Sequence, residues 1–205
     1  WNHVFNKRLF GNTTAVYNDY NFTFKAAQNN FEVKLASGIR DLSLKQDFDL
    51  YPFTRHKIKF GGIYTFHTFT PSVVSGKQDS VVFKPNNAQT KYANEVGLYV
   101  QDDWEINDKL KINAGLRYSA FQQVGKYKIY KTDDNGNRLD STVFGKGETV
   151  KAYGGFEPRL TIRYALNDET SVKASYTRNL QYIHLVSNAG TTLPTDLWVP
   201  STYRV

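Results

Sequence analysis

The sequence predicts an all-β protein, an antiparallel up-and-down transmembrane β-barrel segment of about eight strands. Three observations carry that expectation. Apolar residues recur with a period of two, the spacing of a strand with unlike faces. The connections between these runs alternate short and long, as in a membrane barrel with tight turns at one end and extended loops at the other. Finally, no stretch approaches the about 18 apolar residues of a spanning helix, and the mean hydropathy is −0.54. Helical membrane proteins are thereby excluded, whereas barrel strands average apolar with polar residues and escape that test.

The expected strands lie at 1–9, 12–25, 31–50, 56–69, 94–106, 110–123, 157–166 and 170–186. Within the third, Leu42, Leu44, Phe48 and Leu50 oppose Asp41, Ser43, Lys45, Asp47 and Asp49. Tyr51–Arg55 then supplies a short turn, and the connection at about 70–92 is long. The clearest strand follows the turn Asn107-Asp108-Lys109. There Leu110, Ile112, Ala114, Leu116, Tyr118 and Ala120 alternate with Lys111, Asn113, Gly115, Arg117 and Ser119, and Phe121 breaks the pattern. Another long connection runs from about 125 to 155. Within it Asp134-Asn135-Gly136-Asn137 separates Tyr127–Tyr130 from Arg138–Phe144, which reads as a β-hairpin standing above the barrel. Leu160, Ile162, Tyr164 and Leu166 oppose Arg159, Thr161 and Arg163. After the turn Asn167-Asp168-Glu169, Val172, Ala174 and Tyr176 oppose Ser171, Lys173, Ser175 and Thr177. A last long connection starts near 187.

Length and composition bound the function. The chain has 205 residues, 40% hydrophobic and 22% charged, which suits one folded unit and excludes bulk disorder. We expect residues 1–205 to be part of one transmembrane barrel domain. With no cysteine there is no disulfide framework, thiolate metal site or cysteine nucleophile. No Gly-rich phosphate loop, nucleophile elbow or supported carboxylate pair is present, so an enzyme is not expected, nor a cofactor or metal. The net charge of +7 is spread among acidic residues rather than gathered into a stripe, which argues against nucleic acid.

Two sets of candidate residues follow from the alternation. Phe60, Tyr64, Phe66, Trp104, Tyr118, Tyr164 and Tyr176 fall on apolar faces, where amphipathic rings suit a membrane interface. Lys57, Lys59, Arg117, Arg159, Arg163 and Lys173 fall on polar faces. If those faces line a wet lumen, these residues contact a ligand or a plugging domain. His67 and His184 join them, because both lie near loop-side strand ends and could meet in space.

Particular runs resemble a known family. Gly97-Leu98-Tyr99-Val100-Gln101-Asp102-Asp103-Trp104-Glu105-Ile106, a short turn, and a strand ending Gly115-Leu116-Arg117-Tyr118 look like the paired-strand signature of TonB-dependent outer-membrane receptors. Phe156-Glu157-Pro158-Arg159-Leu160, Ser175-Tyr176-Thr177-Arg178-Asn179-Leu180-Gln181-Tyr182-Ile183-His184 and Pro194–Ser201 are similar to later strands and a loop of such receptors. The resemblance implies a barrel of about 22 strands around a plug, in the outer membrane of a Gram-negative bacterium. It further implies outer-membrane lipid as surroundings and energy from the TonB complex acting through a plug not in this chain. The cargo would be a scarce metal chelate, cofactor, oligosaccharide or peptide. The chain stops at Tyr203-Arg204-Val205 in what reads as a loop, so an internal portion of such a barrel is expected. The alternatives are a complete eight-stranded barrel serving as adhesin or anchor, and a soluble β-rich surface module.

Overall fold

The computed structural model describes residues 1–78, 81–83, 89–133, 135, 137–186 and 197–201. Its elements are β1 (Asn2–Val4), β2 (Leu9–Gln28), β3 (Phe31–Leu50), β4 (His56–Gln78), β5 (Val81–Phe83), β6 (Lys91–Glu105), β7 (Leu110–Val124), β8 (Tyr127–Thr132), β9 (Arg138–Phe144), β10 (Thr149–Ala165), β11 (Ser171–Thr177), β12 (Ile183–Val186) and β13 (Leu197–Pro200). All pairings are antiparallel. One 9-stranded sheet runs β1-β2-β3-β4-β6-β7-β10-β11 with β5 added to β4, while β8-β9 and β12-β13 are separate hairpins. The fold class read from the sequence therefore holds, as an open up-and-down sheet whose edges are β1 and β11.

Three of the short turns are built the same way. Asn6 Oδ1 accepts the Arg8 and Leu9 N–H groups at 2.8 and 3.0 Å. Asn107 accepts those of Lys109 and Leu110 at 3.0 and 2.8 Å, and Asn167 those of Glu169 and Thr170 at 3.0 and 2.7 Å. A short amide side chain folding onto the backbone two and three residues ahead satisfies donors the turn would strand. At the opposite end, β2 and β3 meet in a tight turn where Asn29 adopts φ 53°, a left-handed conformation that asparagine tolerates.

The register fixes the two faces. Rows such as Tyr64↔Val96↔Ala120 and Val100↔Leu116↔Pro158 place the even-numbered residues of β4, β6, β7 and β10 together. Thus the first and clearest expectation, Leu110–Tyr118 apolar on one side and Lys111–Arg117 polar on the other, agrees with the observed pairing. The polar face is the covered one. Residues after β11 fold across it, so that Tyr182 stacks on Phe121 of β7 at 5.4 Å while β13 contacts β3 and β4. A hairpin touching both flanks of one face marks that face as the inner one.

On the outer face the charges mark out a band. Arg40 pairs with Asp19 at 3.2 Å on the loop side, and His56 pairs with Asp102 at 2.8 Å on the turn side. Between them the outer residues run uncharged through Leu42–Leu50 of β3 and Ile58–Phe66 of β4. This length suits the about 9–11 residues with which a tilted strand crosses hydrocarbon.

Five expectations need correction. The strand expected at 56–69 runs to Gln78, because β3 pairs it as far as Phe31, so much of the connection expected at about 70–92 is strand. The strand expected at 1–9 ends at Val4, because Asn6 turns the chain and β2 begins at Leu9. The strand expected to start at 157 starts at Thr149, since β7 extends to Val124 and pairs it there. The strand expected at 170–186 stops at Thr177. Leu180 leaves the wall to sit over Gly155, where a Cβ would come within 2.8 Å of it, and Tyr182 enters the apolar cluster; that burial draws the chain inward. Phe121 does not spoil the alternation. It is an inner-face residue, 1% exposed, and centres the core with Phe69, Ala93 and Tyr182. The hairpin expected within 125–155 is β8-β9, paired Tyr127↔Phe144. Its turn residues Asp134 and Gly136, the run 187–196 and the end Tyr203-Arg204-Val205 lie outside the described residues.

Candidate functional site

The inner face is graded along the strands. Nearest the short turns it is charged and wet, and the middle carries a ladder of alternating charge. Nearest the loops it is apolar and covered.

The ladder crosses five neighbouring strands. His67 Nδ1 on β4 donates to Asp41 Oδ1 on β3 at 2.8 Å, and its Nε2 lies 3.5 Å from Glu95 Oε2 on β6. Glu95 is 3.9 Å from Arg117 of β7, and Arg117 is 3.8 Å from Glu157 of β10. Acidic and basic side chains thus alternate from strand to strand, so that each of the three inner members faces the opposite type on both sides and each end carboxylate faces one basic neighbour, an order that lowers the cost of desolvating the buried His67 and Glu157. Glycine makes room for it. A Cβ at Gly97 would lie 2.7 Å from Arg117 Nη2, so the guanidinium lies flat across a strand with no side chain. The aliphatic stem of Arg159 crosses Gly115 next to it, where a Cβ would meet its Cγ at 3.1 Å.

The ladder ends under the covering segment. Ser119 donates to Glu157, and the Tyr182 hydroxyl lies 2.8 Å from Ser119 Oγ and donates to the Ser119 carbonyl at 3.2 Å. Tyr182 thus stacks on the apolar tier with its ring and reaches the charged tier with its hydroxyl. Trp198 of β13 packs on the same cluster, with Ile39 and Tyr153 from the wall.

Below the ladder, the sequence-derived cations divide. Lys57 is 4.0 Å from Asp49 and sits over the Tyr51 ring at 5.7 Å. Lys59, Arg159, Arg163 and Lys173 have no carboxylate partner among the described residues. Lys59 and Arg159 flank a recess of ≈ 340 Å³ with Lys45, Gln101 and Arg117. Arg163 and Lys173 line a second of ≈ 490 Å³ beside Asp103, Glu105 and Lys111. An open, unpaired cation set of this kind offers anionic groups a wet electropositive wall.

His184 does not join this wall. It lies on β12, opposite Val199, with Nε2 3.0 Å from Ser201 Oγ, while His67 is held by Asp41 and Glu95. The two histidines therefore serve separate elements, because the chain leaves the sheet after Thr177. No group of His, Asp and Glu among the described residues has metal-binding geometry. All seven aromatic candidates occupy the outer face. Trp104 stacks on His56 at 5.3 Å near the turns, and Tyr118 packs on Phe156 at 5.2 Å toward the loops.

Sequence reasoning missed Asp41, Glu95, Ser119, Glu157 and Tyr182. The signal that could have found four of them is parity: each is on the polar face of its strand, but only the register shows that they touch. At the loop-side rim, outside the spanning segments, burial pushes the Lys91 ammonium below its ordinary range and the Tyr127 phenol above its own. Lys91 Nζ sits over the Tyr127 ring at 5.7 Å.

Compared with known proteins, the chain matches the family model described as TonB dependent receptor-like, beta-barrel, over residues 1–195. Neither a curated protein nor a solved structure matches it significantly.

Proposed function

Since the chain belongs to the TonB-dependent receptor β-barrel family, one of outer-membrane transport receptors rather than enzymes, we propose that it forms the wall of an import barrel whose inner face admits an anionic or multiply hydrogen-bonding cargo. The cargo classes are a metal chelate, a cofactor, an oligosaccharide or a peptide. The observation that carries this reading is the set of inner cations with no carboxylate at ion-pair distance among the described residues, Lys59, Arg159, Arg163 and Lys173, on the face that also carries the alternating ladder. Unpaired cations on a wet wall steer and hold anions, whereas a purely structural wall gains nothing from them. In this reading the aromatic outer face meets lipid. The loop-side segment anchored by Tyr182 narrows the lumen, and a plug outside residues 1–205 takes the energy of the TonB complex.

A closed eight-stranded adhesin or anchor is the weaker reading. Closure at eight strands leaves an interior just wide enough for side chains, and here that space would also have to take β12, β13 and the charged ladder. The test is uptake by the whole receptor in its own outer membrane, across candidate cargoes, with and without a working TonB complex. Uptake should require the complex and fall in Lys59→Ala/Arg159→Ala. Uptake that ignores both changes would overturn the reading.

A further inference from the structure

The wall has a gap in its own pairing. β7 pairs β10 from Thr149 to Tyr164, but on the other side β11 pairs only Arg159–Ala165. One further bond follows, from the Arg178 N–H to the Pro158 carbonyl at 3.1 Å, and then the chain turns away across the inner face. Backbone groups of successive strand residues point to opposite sides. Phe156, Gly154 and Ala152 therefore aim theirs, as Pro158 does, at an edge that no strand among the described residues fills. Such an edge at membrane depth is costly.

The segment that turned away is the one that fits this edge. Continued past Arg159↔Thr177, the β10-β11 register sets Phe156 opposite Leu180, Gly154 opposite Tyr182 and Ala152 opposite His184. On the outer face each would join a row of its own kind. Leu180 falls in the row Leu98↔Tyr118↔Phe156, inside the apolar band, and Tyr182 in the row Val96↔Ala120↔Gly154 near its end. His184 falls in the row of Asn94 and Gln122, whose amides already hydrogen-bond each other at 3.4 Å. On the inner face Asn179 would lie beside Glu157, and Ile183 beside Tyr153, both of which already pack on the apolar cluster. Arg178 keeps its place, because its N–H is bonded to Pro158 from the start.

The inward place also carries a cost. On the covered inner face Gln123 is 0% exposed, and neither end of its amide has a hydrogen-bond partner among the described residues. A polar group buried in that way forfeits its hydration without return. We propose that residues 178–184 exchange between two places, the inward strap and an extension of β11 zipped onto the free edge of β10, and that the exchange uncovers Ser119, Phe121 and Gln123 at the loop-side end of the lumen. The proposal rests on the inner face bounding a lumen, as read above, and not on which cargo the lumen carries.

The test uses the whole receptor in nanodiscs with the pair Ala152→Cys/His184→Cys. In the inward place these positions lie on opposite faces of the wall, since His184 hydrogen-bonds Ser201 within the covering hairpin. In the wall place they are direct partners with Cα atoms about 5.5 Å apart, within reach of a disulfide. Mild oxidation should join them slowly in the native background and about tenfold faster with Tyr182→Ala, which removes the stacked ring and its hydrogen bonds from the inward place. The out-of-register pair Ala152→Cys/Gln181→Cys should stay reduced. Thr161→Cys/Ser175→Cys, partners in the observed wall, should join equally in both backgrounds and so verifies that each variant is folded. With the 152–184 disulfide formed, Phe121, 1% exposed in the inward state, should become open to hydroxyl-radical footprinting. No 152–184 disulfide in either background, an equal yield from the out-of-register pair, or a Phe121 still protected after locking would overturn the proposal. None of these readouts involves cargo or the TonB complex, so failure here and failure of the uptake test are distinguishable.

Discussion

Leu116 and Asn113 are near neighbours on β7 and belong to different solvents. Leu116 sits between Val100 and Pro158 on the outer face and is 43% exposed, whereas Asn113 donates to Asp103 on the inner face. An arginine introduced on the lipid face near mid-membrane costs about 2–4 kcal/mol, and much less where water and a carboxylate receive it. Leu116→Arg should therefore cut the yield of assembled barrel severalfold. Asn113→Arg should leave it near the native level, with Asp103 as its new partner. Heat-modifiable barrel in outer-membrane fractions measures both, and equal yields would remove the assignment of faces. This much was legible from residues alone, because alternation needs no partner strand to be seen. The ladder was not. Glu157 reads only as one polar residue in a mixed run until pairing with Arg117 and the Ser119 hydroxyl gives it a role.

At the scale of elements, what the sequence concealed is where a strand ends. Alternation is clean only through Thr177: Arg178 falls on the apolar parity and Ile183 and Leu185 on the polar one, local breaks that do not by themselves say where the chain goes next. A long-range gain decides it, as Leu180 and Tyr182 bury against Gly155 and Phe121 once the chain folds inward. Tyr182 is the pin of that fold, since its carbonyl also accepts the Ser201 N–H at 2.7 Å and so ties β12 to β13. Tyr182→Phe keeps the stacked ring and loses the hydroxyl contacts with Ser119. A hydrogen bond in such a place contributes about 0.5–1.5 kcal/mol. The hairpin should open about tenfold more often, read as faster amide exchange across 183–186 and 197–201 in the whole receptor, with β7 and β10 unaffected. Exchange unchanged in that hairpin would show that Trp198 and Ile183 hold it without Tyr182. By contrast, two of the three asparagine-built short turns were legible residue by residue, and the one at Asn6, read as strand, was not. Asn107 and Asn167 announce them through a side chain that satisfies its own turn.

The whole molecule is a sheet with two free edges, and in lipid that is an unstable object. An unpaired backbone N–H or C=O in hydrocarbon costs several kcal/mol, so a spanning sheet has to close or to gain neighbours. Here β1 pairs only with β2 and β11 only with β10. Closing them on each other would confine Lys57, Lys59, Arg159, Arg163 and Lys173, four of them without partners, in a space that β12 and β13 already enter. Desolvating unpaired charge is among the costliest steps a fold can take, so a wide, hydrated lumen bounded by further strands is the lower-energy arrangement. We predict that residues 1–205 produced alone will not form a heat-resistant barrel in bilayers, whereas the whole receptor will. Cysteines placed at His3 of β1 and Ala174 of β11 measure the geometry directly. In the whole receptor they should stay reduced under mild oxidation, separated by the intervening wall. A disulfide between them in high yield, in a folded and membrane-inserted protein, would mean that these eight strands close as a ring, and the inner cations would then need partners that the sheet does not supply.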